Sequence, residues 1–335
     1  MRQILPAGPS SEPAKPAPPR PVKPLAHGAF PVPVSTIDWL LSRESPAARY
    51  VTLRDLLGRP AKDLELRKAK QAFVRDAFVR DVLPLLRPAL SSAARDTFPE
   101  RRHDGGFWLT LVLTEIGGDR TVPELKHAAD VLFARWERVF VSIEREGPAD
   151  FEVPGLSLKL FPLVLRTLAL LGFGDDPRIL AVTESLARAR VSREAAETGR
   201  TPLVKELKLY AAIDEERRSP AVRSAVEFIV GRLLSAEGAT LFPAGLGVPC
   251  GAESDDLDFL SAFVDVGVPD VLAVHPFLER LASRADRRAR WKLERGLHPA
   301  LPILLEREGE LSRWVTIRAL GVMQRTVGLR MAGIS

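Results

Sequence analysis

Apolar residues recur at spacings of three and four over most of the chain, which is the period of one face of an α-helix. The pattern begins at Ser35, where Ser35 or Thr36 can cap a short helix that contains Trp39. Alternating β-branched runs are absent, and 28 prolines are scattered through the chain. This pattern predicts an all-α fold from residue 35 onward.

A recurrent turn divides the predicted helices into pairs. In each copy a helix ends in a glycine or an acid, and a proline a few residues later opens the next helix. Glycine suits a helix end because it adopts the left-handed conformation, and proline suits a first helical position because its missing N–H is not needed there. Successive prolines lie roughly 40 to 60 residues apart, the length of a two-helix repeat. The copies are Leu57-Gly58-Arg59-Pro60, Ile116-Gly117-Gly118 before Pro123, Leu171-Gly172 before Asp176-Pro177, Ile213-Asp214 before Ser219-Pro220, and Val266-Gly267-Val268-Pro269.

Two distant segments, 49–56 and 313–320, are nearly identical: Arg-Tyr-Val-Thr-Leu-Arg-Asp-Leu and Arg-Trp-Val-Thr-Ile-Arg-Ala-Leu. They are the first helices of the first and last pairs. In the last pair, the first helix is not followed by a second helix. The short helix around Trp39 can take that place. We therefore predict a closed ring of about six helical hairpins, an α/α toroid, with Tyr50 and Trp314 side by side. The first helices are predicted to begin near Ala47, Phe107, Leu156, Leu203, Asp255 and Arg313.

The first 34 residues differ because proline and alanine dominate them, as in Pro16-Ala17-Pro18-Pro19-Arg20-Pro21. This composition favours extended, solvated backbone and offers few side chains for a core. We predict a disordered tail over residues 1–34 and a single toroid domain over residues 35–335. The functional alternative for the tail is a ligand for a protein partner that binds proline-rich segments.

Composition narrows the class of protein. The chain has 335 residues, 46% hydrophobic and 27% charged, which is typical of a globular protein with a large core. No apolar run reaches about 18 residues, so no membrane span is predicted. One cysteine, Cys250, excludes an internal disulfide framework, and the N-terminus lacks a secretory signal. We predict a cytoplasmic protein.

Charge does not indicate a nucleic-acid partner. The net charge is +5, but part of the excess comes from the tail. The remaining body is close to neutral, and we predict no binding to nucleic acid. The charged tail residues are Arg2, Lys15, Arg20 and Lys23 against Glu12.

Three motifs carry a resemblance to a known family. The motifs are Trp39-Leu40-Leu41 with Ser45-Pro46-Ala47-Ala48-Arg49-Tyr50, then His103-Asp104-Gly105-Gly106-Phe107-Trp108, and Ser312-Arg313-Trp314-Val315-Thr316. With these motifs, residues 35–328 resemble the prenyltransferase and squalene-hopene cyclase repeat superfamily, and more narrowly the bacterial prenyltransferase or squalene oxidase repeat proteins. The resemblance implies an α/α toroid with a central, partly apolar cavity that binds an isoprenoid-like or other hydrophobic small molecule.

The catalytic motifs of that superfamily are not matched. Its cyclases use an Asp-x-Asp-Asp acid, whereas the acidic cluster here reads Asp255-Asp256-Leu257-Asp258. Its protein prenyltransferases hold zinc with an Asp and a Cys one residue apart, and no such pair surrounds Cys250. Because these motifs are missing, we predict no recognisable catalytic motif and no bound metal. Whether the chain is an enzyme stays open.

Asp255 and Asp258 are weak catalytic candidates. They lie at a predicted helix start, where acids are stabilised by the helix dipole by about 0.3 to 1 kcal/mol each. The functional alternative places both carboxylates at the mouth of the ring, as ligands for magnesium-diphosphate or as an acid pair. We predict no cofactor, except magnesium if the site binds a diphosphate.

Aromatic and arginine residues supply the candidate ligand-binding positions. Arg54 follows Tyr50 by four residues and Arg318 follows Trp314 by four, so each guanidinium can lie over its aromatic neighbour. Both arginines either anchor helix ends or reach a central cavity to hold an anionic head group.

Phe107 and Trp108 are the remaining candidates for binding a ligand. They either pack in the core or line the cavity, as aromatic residues do in cyclases that stabilise carbocations.

Two other functions remain open beside ligand binding without catalysis. One is a divergent terpene cyclase or prenyltransferase that uses Asp255 and Asp258 in a rearranged site. The other is a helical-repeat scaffold that binds a protein on an open concave face.

Overall fold

The computed structural model describes residues 30–91, 105–146, 161–192, 200–235, 245–247, 254–267, 272–297 and 304–332. These residues are mostly helical, which confirms the predicted all-α class. The helices are α1 (Val34–Leu40), α2 (Pro46–Val51), α3 (Leu64–Ala72), α4 (Ala77–Ser91), α5 (Gly106–Glu115), α6 (Pro123–Glu146), α7 (Phe161–Leu168), α8 (Pro177–Ser192), α9 (Arg200–Ala211), α10 (Pro220–Leu234), α11 (Asp256–Asp265), α12 (His275–Ser283) and α13 (Arg313–Thr326). The strands are β1 (Phe30–Pro33), β2 (Trp291–Lys292), β3 (Leu311–Ser312) and β4 (Leu329–Ala332).

The predicted glycine ends agree with the structure, and so do three of the predicted proline starts. Pro60 does not open a helix, because α3 begins at Leu64, where the Asp63 carboxylate accepts from the Leu66 amide. Pro269 lies outside the described residues. Helices α6, α8 and α10 begin at the prolines that were predicted to open them. The glycines at the predicted helix ends have positive φ angles, which residues with a side chain rarely adopt. These glycines are Gly58, Gly117, Gly172 and Gly267. The predicted helix start near Leu156 lies outside the described residues.

Two of the helices continue into a wider π-helical turn. Helix α2 runs into the π turn Thr52–Leu56, and α7 runs into the π turn Ala169–Phe173. The first π turn contains Arg54, one of the predicted ligand-binding residues. Single π turns within α-helices occur frequently at functional sites.

From α5 onward, the first helices of the predicted pairs pack against one another in chain order. Helix α5 contacts α7, α7 contacts α9, α9 contacts α11, and α11 contacts α13. Helix α13 in turn packs against α2 and the π turn Thr52–Leu56, so the first and last members of the series are neighbours. The second helices form another layer, in which α4 contacts α6, α6 contacts α8, and α8 contacts α10.

The two ends of the described chain meet in a parallel strand pair. Strand β1 pairs with β4, with Val32 opposite Met331, and the Phe30 amide donates to the Gly328 carbonyl at 2.8 Å. Phe30 and Val32 are buried. The predicted tail boundary at residue 34 is therefore wrong, because residues 30–34 belong to the folded body through this pairing. The rest of the predicted tail, 1–29, lies outside the described residues.

Helix α1 is held at the start of α13 by contacts between Trp39 and Arg313. The Trp39 ring contacts two guanidiniums, with the Cζ atoms of Arg290 and Arg313 at 5.6 and 5.0 Å from its centroid. The Thr36 hydroxyl donates to the Arg288 carbonyl. Short strands β2 and β3 pair beside this contact, a feature that the search for strand patterns did not predict.

Among the residues that the structure describes, no helix combines the length and hydrophobicity that a membrane crossing requires.

Candidate functional site

A pocket of about 340 Å³ opens between the ends of the first helices. Helices α5, α7, α9 and α11 and the π turns that follow α2 and α7 contribute residues from their C-terminal turns, and α13 contributes a stripe along its length. Eight of the lining residues carry charge: Arg54, Asp55, Glu115, Arg166, Lys208, Asp265, Arg318 and Arg325. The wall is therefore strongly charged, and apolar residues such as Leu56, Leu170 and Ile317 line it as well.

Four buried charged residues of this wall form a network with Asp258, and we call these five side chains the floor. Arg166 forms an ion pair with Glu115, and Lys208 Nζ lies 3.9 Å from the same carboxylate. Lys208 Nζ also lies 2.8 Å from Asp258 Oδ1, and Arg318 Nη2 lies 2.7 Å from that oxygen. All five side chains are 5 to 14% exposed. Within the described residues, two carboxylates are shared by three cations.

The loop before α11 fixes the position of Asp258. Asp255 caps α11: its Oδ1 accepts from the Asp258 amide at 2.7 Å, and its Oδ2 accepts from the Gly247 amide at 2.8 Å. Arg318 Nη1 donates to the Gly247 carbonyl at 3.0 Å. Residues from α11, α13 and the 245–247 segment therefore hold one another in place.

The pKa values in the floor follow from burial and charge. Burial alone would raise the pKa of Asp258, but the charges of Lys208 and Arg318 outweigh it and lower that pKa. The pKa of Asp255 is raised because the group is fully buried and faces the Asp258 carboxylate. Burial lowers the pKa of Lys208, and repulsion from Arg166 and Arg318 acts in the same direction against the attraction of Asp258. An additional anion beside Lys208 would favour its charged form.

Two ion pairs that are more exposed than the floor form what we call the rim of the pocket. Arg54 Nη2 donates to Asp55 Oδ2 at 2.7 Å, and Arg325 pairs with Asp265. These side chains are 37 to 47% exposed, against at most 14% in the floor. Exposed ion pairs of this kind contribute about 0 to 1 kcal/mol each to stability. Their arginines can therefore exchange partners at a small cost in free energy.

Basic residues at these helix ends have a structural role as well. Arg54, Arg166, Lys208 and Arg325 lie in last turns, where a positive charge complements the negative end of the helix dipole. Arg318 lies in the middle of α13, so the dipole does not account for it.

Three of the predicted ligand-binding residues line the pocket: Arg54, Trp314 and Arg318. The Arg54 Cζ lies 5.2 Å from the Tyr50 ring centroid, as the spacing of four residues predicted. Arg318 instead directs its guanidinium to Asp258 and Gly247, because the neighbouring helix offers a carboxylate.

Tyr50, Phe107 and Trp108 are not among the residues that line the pocket. Tyr50 packs edge-on against Phe73, with ring centroids 6.5 Å apart. Phe107 and Trp108 are buried and contact each other at 5.3 Å. Every residue of α5 from Gly106 to Thr114 is buried, so aromatic residues on any side of this helix meet the core. Of the two hypotheses for Phe107 and Trp108, core packing and cavity lining, the structure supports core packing.

Asp255 and Asp258 do not fit a magnesium site. The oxygens of Asp255 accept backbone hydrogen bonds, and Asp258 is held by Lys208 and Arg318. Cations at hydrogen-bonding distance occupy the positions that a metal ion would need. Elsewhere in the described ranges, no cluster of three or more His, Cys, Asp or Glu residues could hold a metal ion.

Sequence reasoning missed six charged residues of the pocket. A usable signal existed, because Arg166 interrupts the most apolar stretch of the chain, and Glu115 and Lys208 also lie in largely apolar first helices. A charge retained within a buried helix indicates a buried partner. The missed residues are Asp55, Glu115, Arg166, Lys208, Asp265 and Arg325.

No protein-family model matches the chain, and no curated protein or solved structure is significantly similar to it.

Proposed function

We propose that the helices form an α/α toroid of six hairpins, with first helices inside and second helices outside. The packing of α13 against α2 supports closure, because an open series of hairpins would leave its first and last members apart. The pairing of β1 with β4 supports the same conclusion from the chain ends. In this architecture the charged pocket lies on the ring axis.

The proposed function is the binding of a small molecule with an anionic group in that pocket. The observation that carries this proposal is the floor, where two carboxylates are shared by Arg166, Lys208 and Arg318 at little exposure to water. Interactions between charges are strong where water is excluded, so a further anion on this floor is stabilised by the three cations together.

The pocket also limits the ligand's size and polarity. Its volume of about 340 Å³ lies near the lower end of the range for ligand sites, roughly 300 to 1,000 Å³. An uncharged hydrocarbon would remove water from the charged wall without replacing the lost interactions. An amphipathic anion satisfies both the wall and the apolar lining residues Leu56, Leu170 and Ile317. An isoprenoid-like ligand fits this proposal only with a charged head group.

Calorimetric titration with octanoate and with octan-1-ol tests the proposal, because the two probes share a chain and differ in charge. We expect octanoate to bind and the alcohol to bind at least tenfold more weakly, the usual value of one charge-assisted contact. Equal affinities, or no binding of octanoate, would contradict it.

The variant Lys208→Met provides a matched test within the floor. It leaves Arg166 beside Glu115 and Arg318 beside Asp258, so each carboxylate keeps a cation that already contacts it. We expect the fold to be retained, because two cations and two carboxylates remain and no buried charge is left uncompensated. Octanoate binding should fall at least tenfold. The melting temperature checks folding, and unchanged octanoate binding would count against the proposal.

The two alternative functions have less support. A divergent cyclase or prenyltransferase needs Asp255 and Asp258 accessible to substrate, whereas both are buried and hydrogen-bonded. A protein-binding scaffold needs an open concave face, and the contact between α2 and α13 leaves little room for one.

A further inference from the structure

We propose that the ligand is an elongated dianion, with one anionic group on the floor and a second bound at the rim by Arg54 and Arg325. This inference rests on the proposed function, because it requires that an anion already occupies the floor. It adds the chemical class of the ligand and its direction in the pocket.

The direction follows from α13, which lines the pocket along its length. Trp314, Arg318, Gly321 and Arg325 all line the pocket and are spaced four, three and four residues apart. This spacing places them on one face of the helix. Arg318 and Arg325 are seven residues apart, so their backbone positions differ by about 10 Å along the helix axis. The floor and the rim are therefore two ends of one path.

Gly321 leaves this path open between the two arginines. A Cβ atom added at Gly321 would have one neighbour within 4 Å, the Arg325 Nη2 atom at 3.9 Å. A larger side chain here would project into the pocket beside Ile317. The absence of a side chain at this point provides room for the middle of a ligand.

The rim arginines come from opposite ends of the chain but face one pocket. Helix α13 packs against the π turn that contains Arg54, and both Arg54 and Arg325 line the pocket. Each is paired with an acid that is itself more than a third exposed. Asp55 and Asp265 can therefore turn into water when a ligand anion replaces them, because exposed ion pairs contribute little to stability.

The middle of the path suits a hydrocarbon chain. Leu56, Leu170 and Ile317 line the pocket together with the charged residues. Methylene groups between the two anionic ends would bury against these side chains, and each group removed from water favours binding. The pocket therefore favours a molecule that is charged at both ends and apolar between them.

A series of dicarboxylates with four, six, eight and ten carbons tests the inference by calorimetric titration. Each is compared with the monocarboxylate of equal length. We expect the advantage of the second carboxylate to appear only in the longer members, and suberate to bind at least tenfold more tightly than octanoate. Succinate should gain little over butanoate because it is too short to reach the rim.

Variants identify the group that binds the second carboxylate. In Arg54→Gln/Arg325→Gln, suberate affinity should fall to that of octanoate. Arg59→Gln removes an arginine of similar exposure that does not line the pocket, and should leave suberate binding as it is. Gly321→Leu should weaken suberate at least tenfold by closing the path. The melting temperature of each variant confirms that it is folded.

The outcomes separate this inference from the proposed function. If octanoate and suberate bind equally, the dianion is wrong and anion binding at the floor stands. If the double variant keeps the full preference for suberate, the rim arginines are not its site and the inference fails. If neither carboxylate binds, both proposals fall.

Discussion

Arg54 and Arg318 occupy the same position in two nearly identical segments, yet their surroundings differ. Arg54 pairs with the adjacent Asp55, lies over Tyr50 and is 41% exposed. Arg318 pairs with Asp258 of another helix and is 14% exposed. Two features go with this difference: Arg54 is followed by Asp55 and Arg318 by Ala319, and the helix next to Arg318 carries Asp258. An arginine with a carboxylate beside it in sequence is satisfied locally, whereas one without it takes a carboxylate from a neighbouring helix.

This difference separates two kinds of charged residue in one pocket. The Arg318 pair joins α11 to α13 and contributes to the fold. The Arg54 pair is local and exposed, so it can change partner when a ligand arrives. Repetition of a sequence motif predicts where a side chain lies on its helix, but the neighbouring helix determines what that side chain does.

The largest expected effect is the loss of stability in Asp258→Ala. This variant removes the carboxylate that Lys208 and Arg318 share, and uncompensated buried charge costs about 3 to 5 kcal/mol. Asp55→Ala is the matched control, because it removes the carboxylate of the exposed Arg54 pair and should cost about 1 kcal/mol or less. Urea denaturation of both variants measures the two free energies of unfolding. Equal losses would remove the distinction between floor and rim.

The pH dependence of stability provides a second measure of the same pair. Because the folded-state pKa of Asp258 is lowered, its contribution is present above the ordinary value of 3.8 and is lost as the pH falls toward about 2. The difference in unfolding free energy between the wild type and Asp258→Asn should therefore shrink on acidification through this range. A constant difference would show that the Asp258 charge does not stabilise the fold.

A smaller loss is expected where α5 ends against the segment that leads to Arg54. Gly117 has φ +100°, and a Cβ atom there would lie 2.8 Å from Val51 Cγ2. Gly117→Ala combines backbone strain with a steric clash and should cost about 2 to 4 kcal/mol. Gly58→Ala is the control, since Gly58 has φ +56° and no atom within 4 Å of an added Cβ, so about 1 to 2 kcal/mol is expected. Thermal denaturation compares them, and equal losses would contradict the close approach.

The smallest effect is the interaction between Tyr50 and Arg54. A double-mutant cycle with Tyr50→Leu and Arg54→Met should give a coupling energy of about 0.5 to 1 kcal/mol, which is typical of a partly exposed cation–π pair. The same cycle with Trp314→Leu and Arg318→Met tests the repeated segment. We expect a smaller coupling there because Arg318 directs its guanidinium to Asp258 and Gly247. Equal couplings would mean that the two segments behave alike.

The sequence predicted the helices well because its turn residues have direct physical roles. Gly117 and Gly172 adopt the left-handed conformation that ends a helix, and Pro123 and Pro177 begin the helices that follow. It predicted the strands and the end of the tail poorly, because β1 is only four residues long and is defined by its pairing with β4. The local sequence around β1 does not indicate pairing with a strand so distant in the chain.

The candidate site was predicted only in part for a related reason. Arg54, Trp314 and Arg318 were found because a repeated segment drew attention to them. Lys208 and Glu115 were missed, although both are charged residues in apolar helices, because their partners lie on other helices. Buried charges can be identified from one sequence, but their pairing requires the packing of those helices.

The central claim is that the two ends of the chain meet and close the fold around the pocket. A disulfide between β1 and β4 tests it directly, using Val32→Cys and Met331→Cys in a Cys250→Ser background. These two positions are paired in the register of parallel strands, whose spacing of about 4.8 Å is within the range that a disulfide spans. Oxidation should produce an intramolecular disulfide in the monomer, detected by mass spectrometry and by faster migration on a non-reducing gel. Two free thiols, or disulfide-linked dimers alone, would contradict closure.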